Sequence, residues 1–587
     1  MASSGNAFDF KLFKRLLAYT NKYRLTFYFV GFAAIAMAAL GVLTPILLKI
    51  TIDDAILVRD WNGLVFYVAL MVGVLVLEVF FQFSFIYYAN WLGQHVIRDI
   101  RVKLFKLMLS FKMKYFDTSA VGRLTTRAVN DIETISSIFS QGLFMIISDL
   151  LKMFVIAGVM LFQSWKMALI VFTILPFLLY ATRVFQRAMK SAFEEVRAQV
   201  ANLNSFVQER ITGMKIVQVF AQEDAEYRAF KEINNKHKKA WIKTVWYNSI
   251  FFPIAEMASS VAIGLVVWYG GMNATAEGPI TLGLITGFIT LSQMLFRPLR
   301  QIADKFNTLQ MGMVAANRVF EILDTSSHIA DEGEKELRQT KGVIEFKDVH
   351  FGYVEGEEVI KGISFKVSPG ETIALVGSTG AGKSTIINLL SRFYEINSGT
   401  ILIDDISVKD YKLASLRNHI AVVLQDVFLF ADTIFANITL GDTSITEEEV
   451  VAAAKEIGVD SFISSLPGGY QYNVKERGAM LSSGQRQLIA FLRAYVSKPS
   501  ILVLDEATSS VDSYSEEMIQ NATDLITEGR TSIVIAHRLA TIKKADQILV
   551  MEAGKIVEKG THEELLQKEN GFYKNLYEVQ FMAEETI

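Results

Sequence analysis

The 587-residue sequence has no cysteine and no large excess of either charge. The lack of cysteine excludes disulfides, thiolate metal sites and a cysteine nucleophile, although it does not fix the cellular compartment. Lysine and arginine number 58 against 61 acidic residues, a net charge of −3. That balance gives no whole-molecule argument for nucleic-acid binding. We also expect no secretory signal at the start, because Asp9, Lys11, Lys14 and Arg15 interrupt any apolar run there.

Apolar residues, in contrast, are abundant. They make up 51% of the chain, and the mean hydropathy is +0.31. Long apolar runs alternate with charged stretches up to about Gln310. From about Gly342 onward, short Val/Ile/Leu strands alternate with helical patterns, as in a soluble α/β domain. The change of pattern predicts two domains of different class, joined by a polar, acid-rich linker.

Six apolar runs in the first part are each near the roughly 20 residues that a helical membrane span needs. They lie at about 25–50, 64–88, 139–162, 168–184, 250–272 and 280–299. The start of the chain, with Phe10, Phe13, Leu16 and Leu17 spaced between basic residues, predicts an amphipathic helix on the membrane surface. The sequence therefore predicts an integral membrane protein with a six-helix transmembrane domain.

Basic residues set the orientation of the spans. They are concentrated near the N-terminus, between spans two and three, and between spans four and five. We therefore expect both termini on the cytoplasmic side. The two long basic segments have helical patterns, so the spans should continue as helices below the membrane and turn back near 115–124 and 211–224.

A phosphate-binding motif, GSTGAGKST, follows the apolar strand TIALV and precedes a helical pattern. Its glycines allow backbone N–H groups to surround phosphates, and the helix N-terminus favours the negative charge. Lys383 is predicted to reach the β- and γ-phosphates, and Ser384 to bind Mg²⁺. The predicted phosphate-binding residues are Gly377, Ser378, Thr379, Gly380, Ala381, Gly382, Lys383, Ser384 and Thr385.

A second motif, ILVLDEATSSVD at 501–512, is a buried strand that ends in two acids. Adjacent carboxylates at the end of such a strand handle Mg²⁺ and water in P-loop ATPases. We expect Asp505 to hold Mg²⁺ and Glu506 to polarise the attacking water. Together with the P-loop upstream, the motif predicts an ATPase that uses ATP and Mg²⁺.

The segment LSSGQ, at 481–485, resembles the signature loop of ABC transporters, specifically of exporters in which the membrane domain precedes the nucleotide-binding domain. The resemblance covers essentially the whole chain. It implies that Ser482, Gly484 and Gln485 contact ATP held by the P-loop of a partner chain. The family has glycine where this chain has Ser483, which raises the question of how strong this signature loop is.

Further positions match the family's motifs. The resemblance implies that Tyr353 stacks on adenine, Gln425 senses Mg²⁺ and the attacking water, and His537 contacts the γ-phosphate. It also implies that Asp512 faces the other ATP site. Glu476 and Arg477 match a segment that contacts the cytoplasmic helices. The change of pattern and the acid-rich linker predict an amphipathic helix (1–24), a transmembrane domain (25–324), a linker (325–341) and a final domain (342–587), which the resemblance makes an ABC nucleotide-binding domain.

Ionisable side chains within the predicted spans are candidates for cargo contact, because intramembrane charge is costly and usually faces a cavity or a partner. They are Glu78, Asp149, Lys152, Glu256, Arg297 and Arg300. Asp149 and Lys152 lie three residues apart on one helix, so we expect them to pair with each other. Glu78, Glu256 and Arg297 remain the better candidates for binding cargo.

The leading hypothesis is a half-transporter that dimerises and exports drugs or lipids by alternating access. A peptide exporter is the second hypothesis, and an ATP-gated channel or regulator on the same fold is the third. A homodimer is favoured over a heterodimer. The predicted location is the plasma membrane of a bacterium, with both termini and the ATPase domain in the cytoplasm. The expected partners are membrane lipid, a hydrophobic cargo and a second half-transporter chain, with no nucleic acid.

Overall fold

The computed structural model describes residues 9–274, 280–329, 331–338, 340–505, 513–536 and 538–580. The chain forms two compact units. The first holds the residues up to Leu109 together with Ala120–Ser326, and the second holds Ser110–Ser119 and the residues from Ser327 onward. The second unit is therefore discontinuous in sequence.

The described residues of the first unit form helices joined by short connections. Its helices are α1 Phe10–Ala18, α2 Arg24–Ile50, α3 Trp61–Leu109, α5 Val121–Thr126, α6 Ile132–Ser137, α7 Phe144–Gln163, α8 Trp165–Thr212, α9 Met214–Val219, α10 Glu223–Asn273 and α11 Leu282–Leu323; the intervening α4, Met113–Thr118, belongs to the second unit. Short π-helical segments at Thr51–Ile56, Arg127–Asp131 and Ile138–Leu143 extend α2 and join α5, α6 and α7.

Six helical stretches in the described part of the chain are long and apolar enough to cross a membrane, which confirms the six predicted spans. The helices α3, α8 and α10 have 49, 48 and 51 residues. A span needs only about 20 residues. These helices therefore extend far beyond the apolar runs that predicted them, and short helices, α4, α5 and α9, form the two expected turns.

The expected pairing of Asp149 with Lys152 is wrong. The carboxylate of Asp149, on α7, instead contacts the amine of Lys305 on α11. Lys152 faces α2, where its amine lies 3.1 Å from the position that a Cβ on Gly41 would take, and Glu78 Oε1 lies 3.0 Å from the same point. The two α7 side chains thus point to different neighbouring helices, because helix packing, and not the three-residue spacing between them, determines their neighbours.

The helices α2 and α11 approach each other closely through glycine. A Cβ on Gly283 would lie 2.4 Å from the carbonyl oxygen of Lys49, and one on Gly287 would lie 3.3 Å from that of Pro45. The Asp53 carboxylate accepts hydrogen bonds from the Thr281 hydroxyl at 2.5 Å and from the Gly283 N–H at 2.9 Å. Asp53 therefore caps the N-terminus of α11, where a negative charge is stabilising.

The second unit is an α/β domain with two sheets. Its strands are β1 Ile344–Phe351, β2 Ile360–Val367, β3 Thr372–Gly377, β4 Ser398–Ile403, β5 Ile406–Ser407, β6 Ile420–Val423, β7 Ile501–Asp505, β8 Thr531–Ile535, β9 Gln547–Glu552 and β10 Lys555–Gly560. The four-stranded sheet has the order β2-β1-β4-β5, and the six-stranded sheet has the order β10-β9-β3-β8-β7-β6. Only β10 pairs antiparallel in the larger sheet.

The second unit contains further helices. They are α12 Lys383–Leu390, α13 Leu413–Asn418, α14 Ile434–Thr439, α15 Glu447–Ile457, α16 Asp460–Ser465, α17 Ser483–Val496, α18 Ser513–Thr527, α19 Leu539–Lys544, α20 His562–Leu566 and α21 Phe572–Gln580. Every residue of β7 and β8 is buried. Parallel strands covered on both faces read as continuous apolar runs, which is the pattern that identified this domain in the sequence.

The segment Ser110–Ser119 packs within the second unit. Its backbone meets the chain that follows the spans, because the Lys112 N–H donates to the Ser327 carbonyl at 2.8 Å. The Ser110 hydroxyl lies 3.0 Å from His328 Nδ1. The Tyr394 hydroxyl donates to the carboxylate of Asp117. Ten residues from the first predicted turn thus belong to the α/β unit, whereas the predicted transmembrane domain, 25–324, included them.

Candidate nucleotide site and membrane cavity

The predicted nucleotide-binding residues gather at one edge of the six-stranded sheet. The strands β3, β8, β7 and β6 are parallel neighbours, so their carboxyl ends lie together. Asp505 ends β7, and Gln425 lies two residues beyond Val423, which pairs with Leu504. The P-loop begins at Gly377, the last residue of β3. Ligands of open α/β sheets bind at such an edge.

The P-loop turns tightly into α12. Gly382 caps this helix with a φ of +100°, in the left-handed region that favours glycine. A Cβ there would also lie 2.7 Å from Ile360 Cδ1. The turn leaves the N-terminus of α12 directed into the loop, where backbone N–H groups and the helix dipole favour phosphate.

Lys383 folds back over the P-loop. Its amine donates to the carbonyl oxygens of Gly377 at 2.7 Å and Ser378 at 3.0 Å. Burial lowers the pKa of Lys383, while the negative charge of Asp505 opposes that shift. In this partly desolvated loop the Lys383 amine is held by neutral carbonyl oxygens. A bound phosphate would stabilise the positive charge of the amine, because it brings negative charge into the loop.

Oxygen ligands suited to Mg²⁺ lie side by side. The Ser384 hydroxyl donates to Asp505 Oδ2 at 3.2 Å, and Asp505 is only 9% exposed. A hydroxyl and a carboxylate are donors of the kind that Mg²⁺ takes beside phosphates. These residues therefore fit the predicted ion, and Gln425, exposed at the end of the adjacent strand, adds an amide oxygen at the same edge.

Tyr353 lies beside the start of the P-loop helix. Its hydroxyl donates to Thr385 Oγ1 at 3.3 Å and accepts from Asn388 Nδ2 at 3.2 Å. Its ring packs edge-on against Tyr394, with centroids 4.9 Å apart. The structure thus brings this aromatic to the P-loop, as the sequence analysis expected, while its stacking on adenine stays a prediction.

The signature segment forms the start of α17. Ser482 is the N-cap and makes a reciprocal capping box with Gln485, in which Ser482 Oγ accepts from the Gln485 N–H and Gln485 Oε1 accepts from the Ser482 N–H. Ser483 is the first helical residue and is exposed, and Gly484 is buried. Since its backbone is helical, position 483 does not need glycine's conformational freedom, so the serine causes no backbone strain.

The segment before α17 is strained. Lys475 has φ 60° and ψ −174°, and Arg477 has φ 55°. The Lys475 conformation lies in a region that glycine almost alone adopts. Glu476 lies between them in a 3₁₀ turn, and all three side chains are exposed. The predicted catalytic residues Glu506 and His537, and the predicted partner-facing Asp512, lie outside the described residues.

The first unit contains a cavity of about 1050 Å³ between α8, α10 and α11, with Asp131 and Thr134 of the segment before α7 also in its wall. Its wall includes aromatic rings, among which Phe185 and Phe251 stack with centroids 4.0 Å apart. None of the described intramembrane candidates Glu78, Glu256 and Arg297 lines it, and the side chain of Arg300 is outside the described part of the chain. In the sequence, the charged residues of this region indicate only the orientation of the spans, and they do not predict the cavity.

Two family models match the chain. One, described as the ABC transporter transmembrane region, matches residues 27–299, and the other, described as ABC transporter, matches residues 360–509. The chain belongs to the ABC transporter family. The two matches follow the order that the sequence predicted, with the membrane domain before the ATPase domain.

Relatives of this ABC transporter include a probable multidrug resistance ABC transporter ATP-binding/permease protein, YheH, of Bacillus subtilis (strain 168). It is 37% identical over 88% of this chain and 77% of its own length. An ATP-dependent lipid A-core flippase of Methylobacillus flagellatus is 34% identical over 97% of each chain. Among solved structures, a bacterial Atm1-family ABC exporter with ATP bound is similar with a TM-score of 0.75 and 26% identity, covering 94% of this chain and 98% of that one.

These similarities span both domains in one chain. The protein is therefore an ABC exporter half, an integral membrane ATPase that couples ATP use to transport. The family that LSSGQ and the P-loop predict is thereby confirmed.

Proposed function

We propose that this ABC transporter exports amphipathic molecules, such as drugs or lipids, from the cytoplasmic side of a bacterial plasma membrane. The cavity of about 1050 Å³ in the first unit carries this proposal. Drug-sized ligands occupy pockets of roughly 300–1,000 Å³ that are largely apolar with a few polar groups. Aromatic and Met side chains next to amides and charges fit a cargo with an apolar body and a polar end.

Hydrolysis is assigned to the residues at the sheet edge. Lys383 would bind the β- and γ-phosphates, and Ser384, Asp505 and Gln425 would hold Mg²⁺, which neutralises charge on the phosphates. Glu506 would orient the attacking water and His537 would contact the γ-phosphate. ATP binding favours the closed dimer because ATP has higher affinity for that state, and hydrolysis resets the cycle.

A homodimer is the proposed working form. One chain carries one P-loop and one signature segment, and Ser482 and Ser483 are exposed at the start of α17. At α9 the apolar side chains of Ile216, Val219 and Phe220 are 62%, 68% and 65% exposed, and neighbouring exposed apolar side chains are typical of an interaction surface. Both surfaces would be covered by a second copy. Native mass measurement of the purified protein tests this proposal, and a monomer as the ATP-hydrolysing species would contradict it.

Transport into sealed proteoliposomes tests the function directly. Fluorescent amphiphiles added to the outside should accumulate inside vesicles whose ATPase domains face outward, in an ATP-dependent way. Glu506→Gln should bind ATP, lose nearly all hydrolysis and abolish accumulation. Hydrolysis at the unchanged rate would contradict the role of Glu506. ATP-dependent ion current without vectorial uptake of any amphiphile would instead support the gated channel.

A further inference from the structure

The cavity between α8, α10 and α11 has a row of charges on one side. Lys190, Glu194 and Arg197 lie on α8 at positions i, i+4 and i+7, so they share one helix face. All three are exposed. They begin six residues beyond the predicted cytoplasmic end of the fourth span at 184. The row therefore lies where the apolar part of α8 gives way to its polar extension.

None of these three side chains has an ion-pair partner among the residues that the structure describes. The contrast with the next residue is direct, because Glu195 pairs with Lys243 of α10 at 2.8 Å. Glu195 and Lys243 do not line the cavity. The Glu195 charge outside the cavity is thus neutralised within the protein, whereas Lys190, Glu194 and Arg197 are available to a bound molecule.

The opposite side of the cavity adds one more cation and one more acid. Arg318, on α11, lies 3.6 Å from the carboxylate of Asp131, and Asp131 is 8% exposed. These two charges largely compensate each other. Among the described residues that line the cavity, two cations without an ion-pair partner, Lys190 and Arg197, stand against one such acid, Glu194, which gives an excess of one positive charge.

Apolar surface lies next to these charges. The stacked rings of Phe185 and Phe251 line the same cavity, and Phe252 and Phe306 are 53% and 46% exposed. A bound molecule can therefore cover exposed rings with its apolar part while its polar end reaches the α8 row. Burying an aromatic ring's exposed surface contributes roughly 25 cal/mol per Å².

We propose that the cavity selects amphipathic anions, with a carboxylate, phosphate or sulfonate group held by Lys190 and Arg197 and an apolar body against the phenylalanines. Arginine can bind such a group through two parallel hydrogen bonds. A cationic amphiphile would meet two like charges for one opposite charge. This inference rests on the proposed export function and narrows its cargo class.

The test compares three probes that share one dansyl-undecyl body and differ only in the end group: a carboxylate, a primary amide or a trimethylammonium. Binding to the full-length, nucleotide-free protein in neutral detergent is followed by dansyl fluorescence. The carboxylate probe should bind about tenfold more tightly than the ammonium probe, with the amide between them. The preference should weaken between 0.02 and 0.5 M salt, because exposed charges are screened.

Variants locate the effect. The double variant Lys190→Gln/Arg197→Gln should lose the preference for carboxylate while the amide probe binds as before, which also reports that the cavity is intact. Glu194→Gln removes the one negative charge of the α8 row. It should therefore strengthen the preference for carboxylate over ammonium and tighten carboxylate binding several-fold. Lys243→Gln removes a cation from the neighbouring helix outside the cavity, and it should leave the preference unchanged.

The outcomes distinguish the selection of anions by the cavity from the proposed export of amphipathic molecules. Equal or stronger binding of the ammonium probe, or a carboxylate preference that survives in the double variant, overturns the inference and leaves amphiphile export standing. If protein that hydrolyses ATP binds none of the three probes and transports none, the proposed export of amphipathic molecules is overturned as well.

Discussion

Replacing Gly283 by alanine should weaken the contact between α2 and α11. The added methyl carbon would lie 2.4 Å from the Lys49 carbonyl oxygen and 2.6 Å from the Asp53 carboxyl carbon. Neither neighbour can move easily, because one is helix backbone and the other is held by hydrogen bonds from Thr281 and Gly283 itself. The helices must separate or the Asp53 cap must break.

The magnitude follows from two contributions. Inserting a methyl group into a packed interface typically costs about 1–3 kcal/mol. Loss of a hydrogen bond to a charged group costs about 1.5–3 kcal/mol. Since the two effects share the same atoms, they are not additive, and we expect a loss of about 2–4 kcal/mol. At roughly 2–4 °C per kcal/mol, the unfolding temperature should fall by several degrees or more.

Thermal unfolding of the purified full-length protein in detergent measures this loss. Gly287→Ala is the graded comparison, because its methyl carbon would lie 3.3 Å from the Pro45 carbonyl oxygen and requires only a small adjustment. Gly264→Ala is the matched control within a span, since no atom lies within 4 Å of its added carbon. The order of stability should be Gly264→Ala, then Gly287→Ala, then Gly283→Ala. If Gly283→Ala unfolds at the same temperature as Gly264→Ala, the close approach of the two helices is refuted.

Three further changes concern the α/β unit. Lys475→Gly should raise the free energy of unfolding of this unit by about 1 kcal/mol. Glycine relieves a backbone strain of about 1–3 kcal/mol, but its greater conformational entropy in the unfolded chain offsets part of this gain. Denaturant unfolding at fixed protein concentration measures the change, and a lower free energy of unfolding would contradict the strain. Lys383→Ala should lower ATP affinity at least tenfold in equilibrium nucleotide binding, whereas unchanged affinity would contradict its phosphate contact. Tyr394→Phe keeps the ring but removes the donor to Asp117, so amide hydrogen exchange in Ser110–Ser119 should accelerate several-fold; exchange as slow as in the unmodified protein would mean that the hydroxyl does not hold this segment.

Local physical signals in the sequence predicted much of the fold. The thickness of the bilayer determines the length of a membrane span, so each apolar run can be recognised without information from the rest of the chain. The P-loop is equally local, because Lys383 and the glycines around it act within a few residues of one another. The strand that ends at Asp505 was recognisable because burial on both faces requires an unbroken apolar run.

Features that depend on how a helix is rotated could not be predicted in this way. Asp149 and Lys152 are three residues apart, which makes them neighbours on one helix, yet packing directs one to Lys305 and the other to α2. The cavity beside Lys190 and Arg197 likewise depends on how the helices are rotated and packed. Its walls come from α8, α10, α11 and the segment around Asp131, which are separate in sequence. The pattern within α8 alone does not distinguish a cavity face from a solvated face.

The discontinuity of the α/β unit has a consequence for its biosynthesis. Asp117 and its partner Tyr394 are separated by 277 residues of chain. At a synthesis rate of about 5–20 residues per second, Ser110–Ser119 leaves the ribosome roughly 14–55 s before Tyr394 does. During that interval the segment has no surface to fold onto, while the spans on either side of it are already entering the membrane. Complete folding of the ATPase unit is therefore a late event that requires correct insertion of the second and third spans, and a C-terminal fragment beginning at the linker would lack one of its own structural pieces.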